Sequence, residues 1–237
     1  MMTSQQDGTR VAIVAGLRTP FAKAGTAYRD LTALDLAKAC VRELVERGEL
    51  DPASVEVVVM GQVIPSVKAP NLAREVVLGT GLPVSTPAHT VNRACASANE
   101  AIVEVASAIL SGHVQVGIAG GAESLSDVPI LHSRRMAQAF VEASRAKSVM
   151  ARLKAFAKIR PRDLVPDTPA IAEPSTGLTM GQSAEKMAKE NGISRQEQDE
   201  IAFRSHRNAV TAMEDGRLLP EICVVRIPPR YEVSVSR

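Results

Sequence analysis

The chain has 237 residues, of which 45% are hydrophobic and 23% are charged, and its 28 basic and 26 acidic side chains leave a net charge of +2. This balance predicts an ordinary soluble globular protein and excludes binding to nucleic acid or to a membrane surface through overall charge. The aromatic fraction of only 3% indicates a core of aliphatic side chains, which is typical of helices packed on a mostly parallel sheet.

The first half of the chain alternates strand and helix patterns. Short β-rich apolar runs predict strands, and apolar residues spaced by about 3.6 positions predict helices. In chain order these are a buried strand at 10–15 (RVAIVA), a helix at 31–48, a strand at 55–63, a helix at 71–78, a strand at 88–93, a helix at 95–110 and a strand at 114–119. This order predicts an α/β fold, a mostly parallel sheet with helices on both faces.

The pattern changes after Gly121. Residues 122–180 are rich in arginine and lysine and end in a proline cluster, which predicts an inserted, mainly helical subdomain. Its basic side chains either form a solvated helix face or attract a phosphorylated ligand. Beyond it we expect a helix at 182–190, a long helix opened by a Ser194–Glu197 capping box, and a strand at 221–227.

The three cysteines, Cys40, Cys95 and Cys223, are odd in number and far apart, so the sequence predicts neither a disulfide framework nor a zinc site. We therefore expect a reducing, cytoplasmic compartment. The longest uncharged run, residues 105–122, contains serines, a histidine and glycines, which argues against a membrane span. Residues 1–10 have no apolar segment of the kind that a secretory signal requires.

Cys95 lies where the strand at 88–93 gives way to the helix that follows. Ligands of parallel sheets bind beyond the carboxyl ends of the strands, and the first turn of a helix favours an anion such as a thiolate. Cys95 is therefore a candidate nucleophile, and the alternative is a small buried hydrophobic residue. The nearby Gly120-Gly121 pair either permits close backbone approach beneath this position or simply ends a strand.

Four segments in register resemble the thiolase family. They are GLRTPF at 16–21, NRACAS at 92–97, AGGAES at 119–124 and MGQSAE at 180–185. The likeness is greatest to members from bacterial fatty-acid β-oxidation complexes, and it extends over nearly the whole chain. It implies a layered α-β-α thiolase half over residues 1–121, then a loop domain and a truncated return to the core over 122–237, with the C-terminal thiolase half absent.

The resemblance also implies a chemistry. Cys95 matches the family nucleophile, which takes the acyl group of a 3-ketoacyl-CoA as a thioester and passes it to coenzyme A, the second substrate, without a metal or other cofactor. Met180 matches a methionine beside that cysteine in the substrate pocket, and the alternative for it is core packing. By family, we expect a homodimer or homotetramer and a complex with a hydratase/dehydrogenase subunit.

One part of the family pattern is missing. In family members, HEAFA-like, GHP and CxGG motifs supply two histidines and a second cysteine to the active site. None of these motifs occurs here. The four histidines, His89, His113, His132 and His206, stand in other contexts and are expected to be structural or surface residues. We therefore expect incomplete thiolysis. The alternatives are a non-catalytic assembly partner, a biosynthetic acetoacetyl-CoA-forming thiolase, and a ketoacyl synthase or lipid-transfer relative.

Overall fold

The computed structural model describes residues 10–166, 172–229, 231 and 234–235. These residues divide into two compact units. The core unit comprises the described residues of Met1–Val128 and of Ala212–Arg237, and the loop unit is Pro129–Thr211.

The described residues form α1 (Ala33–Arg47), α2 (Leu72–Gly79), α3 (Ser97–Leu110), α4 (Arg134–Arg145), α5 (Val149–Ala155), α6 (Met180–Glu190) and α7 (Arg195–Glu214). Their strands are β1 (Val57–Gly61), β2 (Ala88–Val91), β3 (Gly117–Gly121), β4 (Val225–Arg226) and β5 (Ser234–Val235). Short 3-10 turns occur at Pro52–Ser54, Pro161–Leu164 and Leu219–Glu221.

The main sheet has the order β2-β1-β3, and both pairings are parallel. Val58 of the central strand aligns with Ala88 on one side and with Ile118 on the other. The carboxyl ends of all three strands therefore meet at one edge of the sheet, where the connections to the next elements begin. The predicted parallel α/β sheet is confirmed.

Helices cover both faces of this sheet because alternate side chains of β1 point to opposite sides. Val58 and Met60 are buried with the apolar faces of α1 and α2. Val59 is buried on the other face with Ala101 and Val105 of α3. The layered α-β-α arrangement therefore follows from the apolar pattern of the strand together with that of its flanking helices.

The predicted buried strand at residues 10–15 is wrong. The structure assigns no strand there, and the side chains of Ile13 and Val14 are 81% and 92% exposed. The nearest pairing is a single bridge between Arg18 and Ile222. An apolar run rich in β-branched residues indicates a preference for burial, but a strand forms only where a neighbouring strand supplies its hydrogen bonds.

The predicted helix ends agree closely with the structure because the capping chemistry is local. Thr32 and Asp35 form a capping box at the start of α1, and Asn71 caps α2. Glu197 accepts hydrogen bonds from the backbone and hydroxyl of Ser194 at the start of α7. The strand predicted at 221–227 is reduced to β4, which pairs antiparallel with β5.

Among the described residues, no helix is both long enough and apolar enough to cross a membrane.

Candidate active site

Cys95 lies in the tight turn that joins β2 to α3, and its side chain is exposed. As predicted, Cys95 lies between a strand and the helix that follows it, but the helix begins at Ser97 rather than at Cys95. Its N-cap residue, Ala96, makes no side-chain capping hydrogen bond. The first turn of α3 therefore presents its positive end beside Cys95 without a capping oxygen from Ala96.

The turn holds one residue in an unusual backbone conformation. Ala94 has a φ of 47°, in the left-handed region that a side chain with a Cβ disfavours by about 1–2 kcal/mol. Its N–H donates to Oδ1 of Asn92 over 3.0 Å, and the Ala96 N–H donates to the carbonyl of Arg93 over 3.0 Å. These bonds hold a sharp turn that displays Cys95, and such strained positions are concentrated at functional sites.

Ser97 closes the same turn from inside. Its side chain is buried, its hydroxyl donates to the Ala94 carbonyl over 2.6 Å, and its oxygen accepts from the Arg93 N–H over 2.8 Å. One hydroxyl therefore fixes the backbone on both sides of the left-handed residue. Cys95 lies in the segment that this hydroxyl holds.

Replacing Ser97 with alanine is expected to lower the free energy of unfolding by about 1–3 kcal/mol, since it leaves the Arg93 N–H without its partner and removes one of the two donors to the Ala94 carbonyl. Urea denaturation measures this loss. Ser107→Ala is the matched control, because that hydroxyl also bonds to a backbone carbonyl of α3 but is exposed. Equal losses for the two variants would contradict a specific role of Ser97 in the turn.

The start of α3 lies directly on the ends of two strands. A Cβ added to Gly61 of β1 would stand 2.4 Å from the carbonyl carbon of Ser97. A Cβ on Gly121 of β3 would stand 2.9 Å from the carbonyl oxygen of Gly61, whereas one on Gly120 would have only ordinary contact with Met60, at 3.6 Å. Gly121 therefore permits the close backbone approach beneath the Cys95 turn, as one of the two interpretations predicted. Gly61 does the same.

Two polar side chains connect the three strand ends. The Glu123 carboxylate, after β3, accepts from the backbone N–H groups of Val63 and Ile64 over 2.9 and 3.1 Å. The Asn92 amide, after β2, donates to the Val63 carbonyl over 3.1 Å. Sequence reasoning did not identify these positioning residues. Both lie within the motifs that carry the family resemblance, but nothing local shows that they meet the loop after β1.

The charge beside Cys95 is balanced. Arg93 pairs with Glu100 of α3, and this hydrogen bond raises the pKa of the Arg93 guanidinium. Both partners stand near the positive end of α3, where a carboxylate is favoured by the helix dipole.

The histidines lie in other surroundings, as predicted. His89 pairs with Glu104 over 2.6 Å, His113 bonds to the Ser111 hydroxyl, and His132 contacts the ring of Phe140. His206 is exposed on α7. No hydrogen bond among the described residues joins a histidine to Cys95, so these residues present the thiol without an imidazole base.

Within the described ranges, no group of three or more His, Cys, Asp or Glu side chains is placed to hold a metal ion.

Met180 is the first residue of α6, and its side chain is 58% exposed. The helix begins two residues earlier than predicted, because Thr179 and Gln182 form a capping box. Met180 lies in the loop unit and Cys95 in the core unit. The predicted role of Met180 in substrate binding stays a prediction.

The basic segment of the loop unit forms α4, α5 and the 3-10 turn after them. Arg135, Lys158 and Arg160 line a concavity of about 500 Å³ in this unit. Asp163 holds Arg160 in place: the Arg160 N–H and the Ser133 hydroxyl donate to its carboxylate, and both bonds lower its pKa. The basic side chains are exposed, which fits a solvated face, while recognition of a phosphorylated ligand stays a prediction.

Comparison with known proteins gives concordant results. The family model described as "Thiolase, N-terminal domain" matches residues 11–235. The 3-ketoacyl-CoA thiolase of Serratia proteamaculans is 50% identical over 229 residues, which are 97% of this chain and 52% of that protein. The enzyme of the same name from Pseudoalteromonas translucida is 50% identical over 94% of this chain and 51% of its own length.

Solved structures show the same fold. The acetyl-CoA acetyltransferase of Bacillus anthracis matches 94% of this chain and 52% of its own, with a TM-score of 0.73 and 27% identity. A thiolase from Ascaris suum in complex with coenzyme A matches 93% of this chain and 52% of its own, with a TM-score of 0.74 and 24% identity. The chain spans about half the length of the curated relatives it matches.

Proposed function

The chain belongs to the thiolase family, and from this premise we propose that it supplies the nucleophile of an acyltransferase, with Cys95 forming the acyl thioester. One observation carries the proposal: Cys95 is exposed on a strained turn at the carboxyl edge of the sheet, beside the positive end of α3. This is the placement that reactive cysteines share.

The proposed substrate is a 3-ketoacyl-CoA, because the relatives near 50% identity are named 3-ketoacyl-CoA thiolases. The Cys95 sulfur attacks the 3-keto carbonyl, and the bond between the α- and β-carbons then breaks to release the enolate of acetyl-CoA. The thiol of a second coenzyme A next attacks the Cys95 thioester, and the shortened acyl-CoA leaves. This reaction belongs to fatty-acid β-oxidation in the cytoplasm.

The reverse, biosynthetic direction is a weaker candidate. The acetyl-CoA acetyltransferase of Bacillus anthracis is only 27% identical to this chain, far below the degradative relatives. The identity of 50% to proteins named 3-ketoacyl-CoA thiolase also favours a thiolase over a ketoacyl synthase or a lipid-transfer relative.

Full turnover needs more than the thiol. The departing enolate and the attacking coenzyme A both require proton transfer and stabilisation of an oxyanion. No hydrogen bond among the described residues joins a histidine to Cys95, so we propose that further groups complete the reaction. Homodimer or homotetramer formation and pairing with a hydratase/dehydrogenase subunit are part of the same proposal.

A second candidate function, a non-catalytic assembly partner, is favoured by exposed apolar side chains in the N-terminal segment. Ile13, Val14 and Phe21 are 81%, 92% and 92% exposed. Large apolar side chains are normally buried, and where several are exposed together they commonly mark an interaction site.

We expect iodoacetamide to alkylate Cys95 at least about 10-fold faster than Cys40 or Cys223 across about pH 6 to 9, because Cys95 alone among the three is exposed. Peptide mapping by mass spectrometry gives the rate at each sulfur.

Cys223 is the internal control for this measurement. Interaction with the Cys40 side chain lowers its pKa to about 7, yet its side chain is only 1% exposed. Alkylation of Cys223 or Cys40 in the folded protein as fast as that of Cys95 would refute the assignment of the nucleophile.

A further inference from the structure

Cys40 and Cys223 are far apart in the sequence, but the fold brings them together in the core unit. Cys40 is a half-buried residue of α1, and Cys223 is buried just before β4. Both belong to an apolar cluster that includes Tyr28, Leu31 and Leu36. The prediction from spacing alone, which excluded paired cysteines, does not anticipate this contact.

Both cysteines are anchored to the same short segment of chain. The Cys40 thiol donates to the Leu17 carbonyl over 3.2 Å, and the Cys223 N–H donates to the Arg18 carbonyl over 3.0 Å. The guanidinium of Arg47, the last residue of α1, donates to the Ile222 carbonyl over 3.3 Å. These bonds hold α1 and the residues around Cys223 against each other.

Within this cluster the two thiols are close enough that each is the largest influence on the pKa of the other. A disulfide requires the sulfurs to approach to about 2.05 Å, a closure that rotation of the two side chains would provide. Cys40 also lines a cavity of about 370 Å³, which brings a small oxidant to Cys40, the neighbour of the buried Cys223.

The electrostatic environment distinguishes the two sulfurs. Interaction with the Cys40 side chain lowers the pKa of Cys223, while the same interaction, with burial, raises the pKa of Cys40. Glu43 and Arg47 are the charged groups that act on both thiols, and their effects oppose each other. Cys223 is therefore the thiol that ionises more readily, and Cys40 is the one that keeps its proton.

We propose that Cys40 and Cys223 form a redox-active thiol pair that hydrogen peroxide converts into an intramolecular disulfide. The Cys223 thiolate attacks one peroxide oxygen, the O–O bond breaks, and the hydroxide that leaves is protonated to water. The Cys223 sulfenic acid is then attacked by the Cys40 sulfur, so that the S–S bond forms and a second water leaves. Overall, two thiols and one peroxide give one disulfide and two waters, and a dithiol reductant reverses the change.

The disulfide would tie α1 to the segment that leads into β4. Because the two residues are separated by most of the chain, the cross-link would close a very long loop in the unfolded state. We expect the oxidised protein to have a Tm about 5 °C or more above that of the reduced protein.

The test uses the full chain carrying Cys95→Ser, which removes the exposed thiol. The protein is treated with hydrogen peroxide, unfolded in urea so that the buried thiols become accessible, alkylated with iodoacetamide, digested without reduction and mapped by mass spectrometry. We expect a peptide joining Cys40 to Cys223, joint loss of both free thiols, and recovery of both after dithiothreitol. Non-reducing electrophoresis should show a monomer.

Two further variants, adding Cys40→Ala or Cys223→Ala to Cys95→Ser, serve as matched controls, with circular dichroism verifying their fold. Neither should gain the peroxide-dependent rise in Tm. The proposal is overturned if both thiols remain alkylatable, if they oxidise separately without an S–S peptide, or if the cross-link joins two molecules.

Discussion

Replacing Cys95 with serine is expected to reduce acylation of the protein by a reactive thioester at least about 100-fold, because a serine hydroxyl without a neighbouring base is a far weaker nucleophile than a thiol. The wild-type chain and the variant are incubated with S-phenyl thioacetate, and the acetylated residue is located by mass spectrometry. This reagent has a good leaving group, so the experiment tests the nucleophile without requiring the acid–base groups of complete thiolysis.

Cys40→Ser is the matched control, since its thiol is half-buried and donates to the Leu17 carbonyl. Its acetylation should equal that of the wild type, with the label at Cys95. An unchanged total of acetyl groups in Cys95→Ser would exclude Cys95 as the acyl acceptor. A second assay follows acetoacetyl-CoA cleavage with free coenzyme A, and sustained turnover that depends on Cys95 would contradict the inference that further groups are needed.

Replacing Gly61 with alanine is expected to lower the free energy of unfolding by about 2–3 kcal/mol or more. The new methyl group would stand 2.4 Å from the carbonyl carbon of Ser97 and 2.6 Å from the nitrogen of Ala98. These are backbone atoms, so relief requires α3 to move away from β1, at the cost that overpacking of a close-packed interior carries. Urea denaturation measures the loss.

The same change should also disturb the turn that presents Cys95, because Ser97 fixes that turn. The iodoacetamide rate at Cys95 is therefore expected to change in Gly61→Ala. Gly120→Ala is the control, since its methyl group would have ordinary contact with Met60 at 3.6 Å, and its stability should stay within about 0.5 kcal/mol of the wild type. Equal stability of the two variants would contradict the close approach of α3 to β1.

Local chemistry explains which elements could be predicted from the sequence. The periodic apolar face of α1 and the capping residues Thr32, Asn71 and Ser194 act within a few positions, so they place helix ends almost regardless of the rest of the fold. The alternation of strands and helices likewise leaves few topologies other than a parallel sheet with helices on both faces.

The segment at 10–15 shows where such reasoning ends. Like β1 it is rich in apolar and β-branched residues, yet β1 lies between two strands, whereas no strand of the described residues pairs with the segment at 10–15. The apolar pattern is the same in both places, and only the presence of neighbours separates them. A start of α3 at Ser97 rather than at Cys95 is a smaller difference, and it arises from the left-handed conformation of Ala94.

By itself, the sequence determined the parallel α/β class, the family, and Cys95 as the residue at a strand-to-helix junction, since these depend on local pattern and on motifs in register. Only the tertiary structure showed that Gly61 leaves room for the start of α3, that Glu123 and Asn92 connect the strand ends, and that Cys40 and Cys223 share one apolar cluster. Each of these is a contact between residues remote in the chain. Such contacts depend on how strands and helices pack, because packing decides which distant side chains become neighbours. Local sequence patterns do not predict them.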